Sequence, residues 1–576
     1  MAETLISPGV LALENDNSFV SSQPVTVGAA IIGPTVKGPV EVPTIVTSYS
    51  DYQNKFGTTF LSASQVYTYF TSIAAYNYFA NGGQTLLVSR VVTGSFSEAS
   101  TSGSLGTPIL NADGNEAFRL KTISEGALQN STSSQDAFGA LTSGSADNVR
   151  WQISNYDTSS GTFSLLIRQG NDTTTNPTVL ETWTNLSMDP TAPNYVSRII
   201  GNQYRQYNAQ DNQIEVIGDY PNNSRYVYVS DVLTPTPFYF NNAGVAQAQF
   251  TGSIPSNASG SFGGATGNLF VGVADFYNNI DVASTNIQGI TASAYTQMIN
   301  LLGNADDYRY NILLTPGLSA ATANLGASQV TTAINNTQFR GDAIYVVDLV
   351  PYSSSISDVT TQANAKNTSY AATYWPWVQT IDPDSAQRVW VPASTMVGGV
   401  YAYNDSVSEP WFAPAGINRG GLSTVIRAEK KLSQANRDTL YTNKVNPIAT
   451  FPGTGVVVYG QKTLQTRASA LDRVNVRRLL IQLKSYISQV AQNLVFEQNT
   501  IATRNQFLSQ VNPYLESVQQ RQGLYAFKVI MDDSNNTADV IDRNQMVGQI
   551  YIQPTKTAEF IYLDFNILPT GATFPA

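Results

Sequence analysis

The sequence predicts a multidomain α+β protein. An α/β core domain is interrupted by an inserted β-rich domain and followed by a C-terminal α+β domain. Three observations predict this. Buried-strand and helix patterns alternate over residues 24–92 and again over 265–375. Between them, from Thr93 to about Gly260, Ser, Thr, Asn and Gly dominate and the strand signals are short and alternating. Beyond 376 the pattern changes to amphipathic helices followed by strands. At 576 residues the chain is long enough for roughly three or four cored domains. The divisions expected are an N-terminal arm (1–23), a middle α/β domain (24–92 plus 265–375), the insert (93–264), a C-terminal domain (376–550) and a C-terminal strand segment (551–576).

Met1–Phe19 reads as an extended arm, because Pro8-Gly9 would break a central strand. Alone it buries too little to order itself, so it is either disordered or lent to another body. Pro24–Ile32 (PVTVGAAII) is apolar on both faces, as in a sheet covered on both sides. Thr44–Thr47 is a second short strand. Ser50 is expected to cap a short helix closed by Gly57. Gln65–Ala80 is expected to be one helix, with Val66, Tyr69, Ile73 and Tyr76 on one side and Asn81-Gly82-Gly83 as its stop. Thr85–Val92 returns as a strand. In the insert, Arg150–Ser154 and Thr162–Arg168 read as strands, and Leu186–Ile200 as a capped turn leading into a short helix. A helix near Ala292–Leu302, a strand at Tyr310–Leu314, a helix around Val330–Asn335 and a buried strand at Ala343–Leu349 resume the α/β pattern.

Val391–Leu422 (VPASTMVGGVYAYNDSVSEPWFAPAGINRGGL) is read as a long packed loop with no helix, since Pro392, Pro410 and Pro414 interrupt any ladder and five glycines permit tight turns. Ala428–Tyr441 is expected to be a basic amphipathic helix and Val456–Tyr459 a strand. Leu471–Glu497 is expected to be the longest helix, with Val476, Leu480, Leu483, Ile487, Val490 and Leu494 as its apolar stripe. Arg473, Arg477 and Lys484 flank that stripe. Ile501–Arg521 is a partner helix bent near Pro513. Tyr525–Met531, Val547–Ile552 and Glu559–Leu568 are the closing strands. In the last, Ile561, Leu563, Phe565 and Ile567 alternate with polar residues, a one-faced strand of period two.

Composition narrows the chemistry. With no Cys and no His the chain has no disulfide, no thiolate or imidazole metal site, and no Ser-His-Asp or Cys-His catalysis. Gly28–Gly33 has P-loop-like spacing, but Pro34 stands where Lys is needed. Asp306-Asp307 and Asp532-Asp533 read as solvated turns, Asp382-Pro383-Asp384 lacks the remainder of a calcium loop, and Arg340-Gly341-Asp342 reads as a turn before a strand. No cofactor, metal or catalytic residue is implied. No apolar run approaches the roughly 18 residues a membrane span needs. Charged residues make up only 12% of the chain, which suits a subunit buried in an assembly. The net charge of −10 is uneven: 419–528 holds 15 basic and 5 acidic residues (+10), leaving 16 basic and 36 acidic elsewhere (−20). A basic layer facing a negatively charged partner, protein or nucleic acid, follows, as does the plainer reading of a solvated basic layer.

Pro410–Gly420 (PWFAPAGINRG), followed by NRDTLYTNKVNPI (436–448), VVVYGQKTL (456–464) and LDRVNVRRLL (471–480), resembles contractile bacteriophage (myovirus) tail sheath proteins; ISPGV (6–10) and FANGGQTLLVSRVV (79–92) extend the likeness forward. Within that loop Trp411, Phe412, Pro414, Gly416, Asn418 and Arg419 carry the resemblance. The resemblance implies a non-enzymatic structural subunit of hexameric rings stacked helically in the virion tail. It would be assembled in the bacterial host cytoplasm around an inner tail tube, with baseplate and tail terminator proteins as further partners. Contraction would drive the tube through the host envelope for genome delivery.

The resemblance also implies that the arms, through Leu5, Ile6, Val10, Leu11 and Leu13 and through Ile561, Leu563, Phe565 and Ile567, complete sheets in neighbouring subunits. The residues alone leave open that both arms fold back. Lys430, Lys431 and Arg437, or Arg473, Arg477 and Lys484, are the candidates for contact with an acidic tube. The sheath of a phage-derived bacteriocin or other contractile injection system is the neighbouring alternative. From a different class, a β-rich surface adhesin or fibre would not form hollow cylinders.

Overall fold

The computed structural model describes residues 27–62, 65–102, 105–131, 144–173, 175–269, 276–277 and 287–561. The N-terminal arm, with Leu5, Ile6, Val10, Leu11 and Leu13, lies outside the described residues, as do Leu563, Phe565 and Ile567.

The body is built on one mixed eight-stranded sheet. Its strands are β1 (Val27–Gly33), β2 (Thr44–Val46), β3 (Leu86–Arg90), β4 (Tyr310–Ser319), β5 (Ile344–Asp348), β6 (Ala371–Trp375), β7 (Asn446–Phe451) and β8 (Gly455–Val458), in the spatial order β2-β3-β1-β4-β5-β6-β7-β8. The run from β3 to β7 is parallel, and an antiparallel strand closes each end. Parallel strands need both faces covered, and the sequence supplies this: β3 and β5 are buried at every position. Helices α1 (Tyr49–Phe56), α2 (Phe70–Ala80), α3 (Tyr295–Leu301), α4 (Ala327–Arg340) and α5 (Ala393–Val407) supply much of the cover. The strands come from both sides of residues 93–264, so the chain leaves this sheet after β3 and re-enters it at β4. The sheet and its core also continue past 375 into β7 and β8. The expected division at 375/376 therefore falls inside one packed unit.

Three local expectations are corrected. Val391–Leu422 is not a loop throughout: it opens with the 15-residue helix α5, which starts directly after Pro392. Its two inner glycines are there for packing. A Cβ on Gly399 would stand 2.7 Å from the carbonyl oxygen of Asn77 in α2, and one on Gly398 2.6 Å from Leu314. Close backbone approach outweighs the helix cost of Gly. Gln65–Thr68 is a strand hairpinned to Thr59–Ser62, and α2 begins only at Phe70. The helix before it is capped by Ser48, whose side chain accepts from the Asp51 N–H, and not by Ser50. Gly57 does close it, at φ 66°.

Residues 98–261 carry two larger antiparallel sheets and a two-stranded ribbon, with their own apolar core that includes Trp151, Phe163, Leu165, Ile167, Phe118 and Val229. Arg150 and Arg168 share the carboxylate of Asp172 inside this part, at 3.4 and 2.7 Å, with all three side chains almost fully buried. Polar bonds contribute to the joint with the main sheet, beside apolar contacts such as Tyr207 and Ile214 against the main core. The buried Arg90 guanidinium donates to the carbonyls of Gly38 and Glu125, and Glu125 in turn accepts from the Val40 N–H. Arg340-Gly341-Asp342 is a helix end, with Gly341 left-handed at φ 73° and Arg340 forked onto Asp342 at 2.9 Å through two nitrogens.

Asp348 ends β5 and caps α5 from outside. It accepts from the Ser394 N–H at 3.1 Å, from the Ser394 hydroxyl and from the Gly317 N–H at 3.3 Å. Burial pushes its pKa up from 3.8 to about 6, despite those donors. A native pKa above the unfolded one gives stability that is complete below about pH 4 and is lost as pH rises through 6. Urea unfolding of the monomer should therefore show Asp348→Asn destabilising at pH 5 and much less so at pH 8; a difference that does not change with pH contradicts this.

Candidate functional site

The C-terminal layer is built from three helices and a two-stranded ribbon. Helices α6 (Gln434–Thr442), α7 (Val474–Gln492) and α8 (Ile501–Gln520) precede the ribbon β9 (Leu524–Ile530) and β10 (Gln549–Pro554). The longest helix is α8 at 20 residues, not α7 at 19; it runs unbroken through Pro513. Ala428 ends a short strand and α6 starts only at Gln434, so Lys430 and Lys431 lie on the connection and not on a helix.

Helix α7 has two apolar faces. Leu479, Leu483 and Val490 pack with Phe507, Val511, Leu515 and Val518 of α8 and with Trp411. Val474 and Ile481 pack into the core of the main sheet. Between these last two, at the i, i+4, i+7 spacing, sits Arg478. It is buried, paired with Asp405 of α5, and lies 4.8 Å from the ring centre of Tyr401. Arg477 is buried as well, bonded to the Ser369 hydroxyl and 4.0 Å from the centre of the Tyr370 ring. The two arginines thus bolt the helical layer to the sheet.

The loop after α5 does the same from the other side. Trp411 is buried, its Nε1 donates to the Arg521 carbonyl at 3.0 Å, and the Arg521 guanidinium stands 5.1 Å from its ring centre. Phe412 packs on the same core with Arg419 over its ring at 5.2 Å; Arg419 also donates to the Ala413 carbonyl. Pro414 is buried. Gly416, at φ 83°, donates to Val458 at 2.8 Å; Val458 donates to Gly420 and Leu422 to Val456. The loop therefore pairs with the outer edge of β8. Its apex, Ile417 and Asn418, is exposed.

The ribbon β9–β10 is different. Its strands are antiparallel, and Phe527, Val529, Ile550 and Ile552 lean on the helices while Tyr525 and Tyr551 face outward. Among the described residues no third strand pairs with it. After Pro554 the chain turns back over the main body, and Glu559 is taken up by Arg473 at 2.7 Å, Gln461 at 3.0 Å and Tyr441 at 2.8 Å. Burial favours protonation of this carboxylate, but these donors outweigh it and hold its pKa below the usual value. Ile561, expected in a strand, is exposed and outside any element.

The candidate basic residues do not form one set. Arg477 is interior and Arg473 is committed to Glu559 and Asp472, so neither is a free surface cation. Lys430 is bonded to the Ser354 carbonyl beside Trp375. Arg437 is half-buried, 5.3 Å from the centre of the Phe451 ring. Lys431 and Lys484 are exposed. Sequence reasoning missed Arg478, Tyr441, Gln461 and Glu559. The first had a signal in its place between Val474 and Ile481; the others are brought together only by the return of the tail.

Residues 288–464 match the phage tail sheath protein central domain, and 466–568 the phage tail sheath C-terminal domain. The chain is 42% identical over 208 residues to the tail sheath protein of Vibrio phage KVP40, covering 36% of this chain and 31% of that protein. It is 40% identical over 185 residues to the tail sheath protein of Enterobacteria phage T4, covering 32% and 28%. The matched stretches thus span under a third of those relatives. A solved sheath tail protein from Listeria innocua aligns over 92% of this chain and 96% of its own, with a TM-score of 0.51 and 10% identity, a likeness of fold alone.

Removing Trp411 takes away the side chain common to the loop and the helical layer. Trp411→Ala should cost about 3–5 kcal/mol in urea unfolding, whereas Asn418→Ala at the exposed apex should cost almost nothing; equal effects would contradict the anchoring role.

Proposed function

We propose that the chain is a contractile phage tail sheath subunit, one that polymerises around an inner tail tube and contracts to drive the tube through the host cell envelope; the matches to the sheath central and C-terminal domains support this reading. One observation carries the assembly step. The β9–β10 ribbon has only two strands, a half-covered apolar face and no strand partner among the described residues. A two-stranded ribbon is marginal by itself, and open edges pair with other chains. The reading is that arms from neighbouring copies complete it: residues 1–23 of one subunit and the segment after Ile561 of another. Main-chain bonds of this kind tolerate large movements of the bodies they link.

In this reading subunits form hexameric rings stacked helically, with baseplate and terminator proteins at the ends, in the tail of a virion assembled in the bacterial cytoplasm. The part formed by 93–264 stands outermost, and the C-terminal helical layer faces the tube. Lys431 and Lys484 are the exposed members of the basic set and serve as tube contacts. Exposed pairs are each worth about 0–1 kcal/mol, which suits a contact that must let go on contraction.

Negative-stain microscopy of the purified chain should show hollow cylinders. A chain ending at Ile561 should stay folded but form none; cylinders from that shortened chain would remove strand exchange from the proposal. Lys431→Glu with Lys484→Glu should leave cylinders intact while tubes are no longer coated, and normal coating would refute the tube contact.

A further inference from the structure

The tail between β10 and Ile561 has no secondary structure, yet one of its side chains is held by three polar groups from the main body. Glu559 Oε1 accepts from Arg473 Nε at 2.7 Å and from Gln461 Nε2 at 3.0 Å, and Oε2 accepts from the Tyr441 hydroxyl at 2.8 Å. Arg473 is fixed from behind by Asp472 at 2.9 Å. Gln461 Nε2 also donates to the Thr557 hydroxyl at 2.6 Å, so two tail residues are gripped. The grip is sheltered, with the Glu559 side chain 17% exposed, while Phe560 and Ile561 directly after it are 69% and 77% exposed. The elements packed around it bring Lys462, whose ammonium lies 4.4 Å from the centre of the Tyr441 ring, so the surroundings of the carboxylate are predominantly cationic.

An irregular segment needs no such set of partners merely to pass over a surface, because exposed ion pairs contribute little. A carboxylate with both oxygens engaged and charge-assisted bonds is a point of attachment. We propose that Glu559 is the anchor at which the C-terminal segment is fastened to its own subunit, so that the chain up to Ile561 stays home and only the residues beyond it pair with a second copy. This rests on the strand-exchange reading. It adds where the exchanged segment starts, and therefore the length of the link between one subunit and the next. Displacement of a subunit is then transmitted to its neighbour's sheet instead of being absorbed by slack tail.

Two variants test it. The chain has no cysteine, so Gln461→Cys with Thr557→Cys can be joined in the monomer by dibromobimane, a short thiol cross-linker. Linked subunits should assemble into cylinders as abundantly as unlinked ones. Loss of assembly on linking overturns the proposal, since the tail would have to leave its subunit before Glu559. Glu559→Gln, folded by circular dichroism, should give about tenfold fewer cylinders, the effect of weakening one charge-assisted attachment; an unchanged yield overturns it as well. If the cysteine pair prevents assembly before linking, the Glu559→Gln count decides. Failure of the exchange reading itself is distinguishable, because cylinders would then form from the chain ending at Ile561.

Discussion

Everything in the C-terminal half depends on helix α7 being buried on two sides at once. One side closes the helical core with α8; the other closes the main sheet. Two buried arginines lie between, and each has a compensating environment: Asp405 and the Tyr401 face for Arg478, Ser369 and the Tyr370 face for Arg477. Buried guanidinium groups are tolerated only with such partners. The joint is therefore specific in register as well as apolar. With Trp411 fastening the loop side to α8, the sheet and the helical layer are held at two separate places.

The same economy of edges shapes the whole body. On one side the main sheet ends in β2, a strand of three residues; on the other it ends in β8, whose outer backbone is used by residues 416–422. Short or covered edges do not recruit other chains. The ribbon β9–β10 has no third strand among the described residues. The tail residues that follow it are gripped at Thr557 and Glu559 before the chain moves on.

Much of this was legible in the sequence. The alternation of strands and helices on either side of the Ser/Thr-rich stretch, the ribbon strands, and the apolar stripe of α7 all follow from local period. What was not legible depended on distant residues. Gly398 and Gly399 look like turn formers, and only Asn77 and Leu314, brought against them by the fold, explain why a helix needs them. Val66, Tyr69, Ile73 and Tyr76 have helical spacing, yet the hairpin with Thr59–Ser62 takes the first of them into a strand. Arg478 hid the second apolar face of α7 because a charged residue interrupts the count. The three groups around Glu559 lie at 441, 461 and 473 and become a site only when the tail folds back.

The covering of β8 by the loop around Gly416 has one more consequence. A molecule with uncapped strands on several sides would have a high valence, and its copies would branch into an amorphous gel. Capping removes that edge from β8, which therefore offers no socket to a strand of another copy.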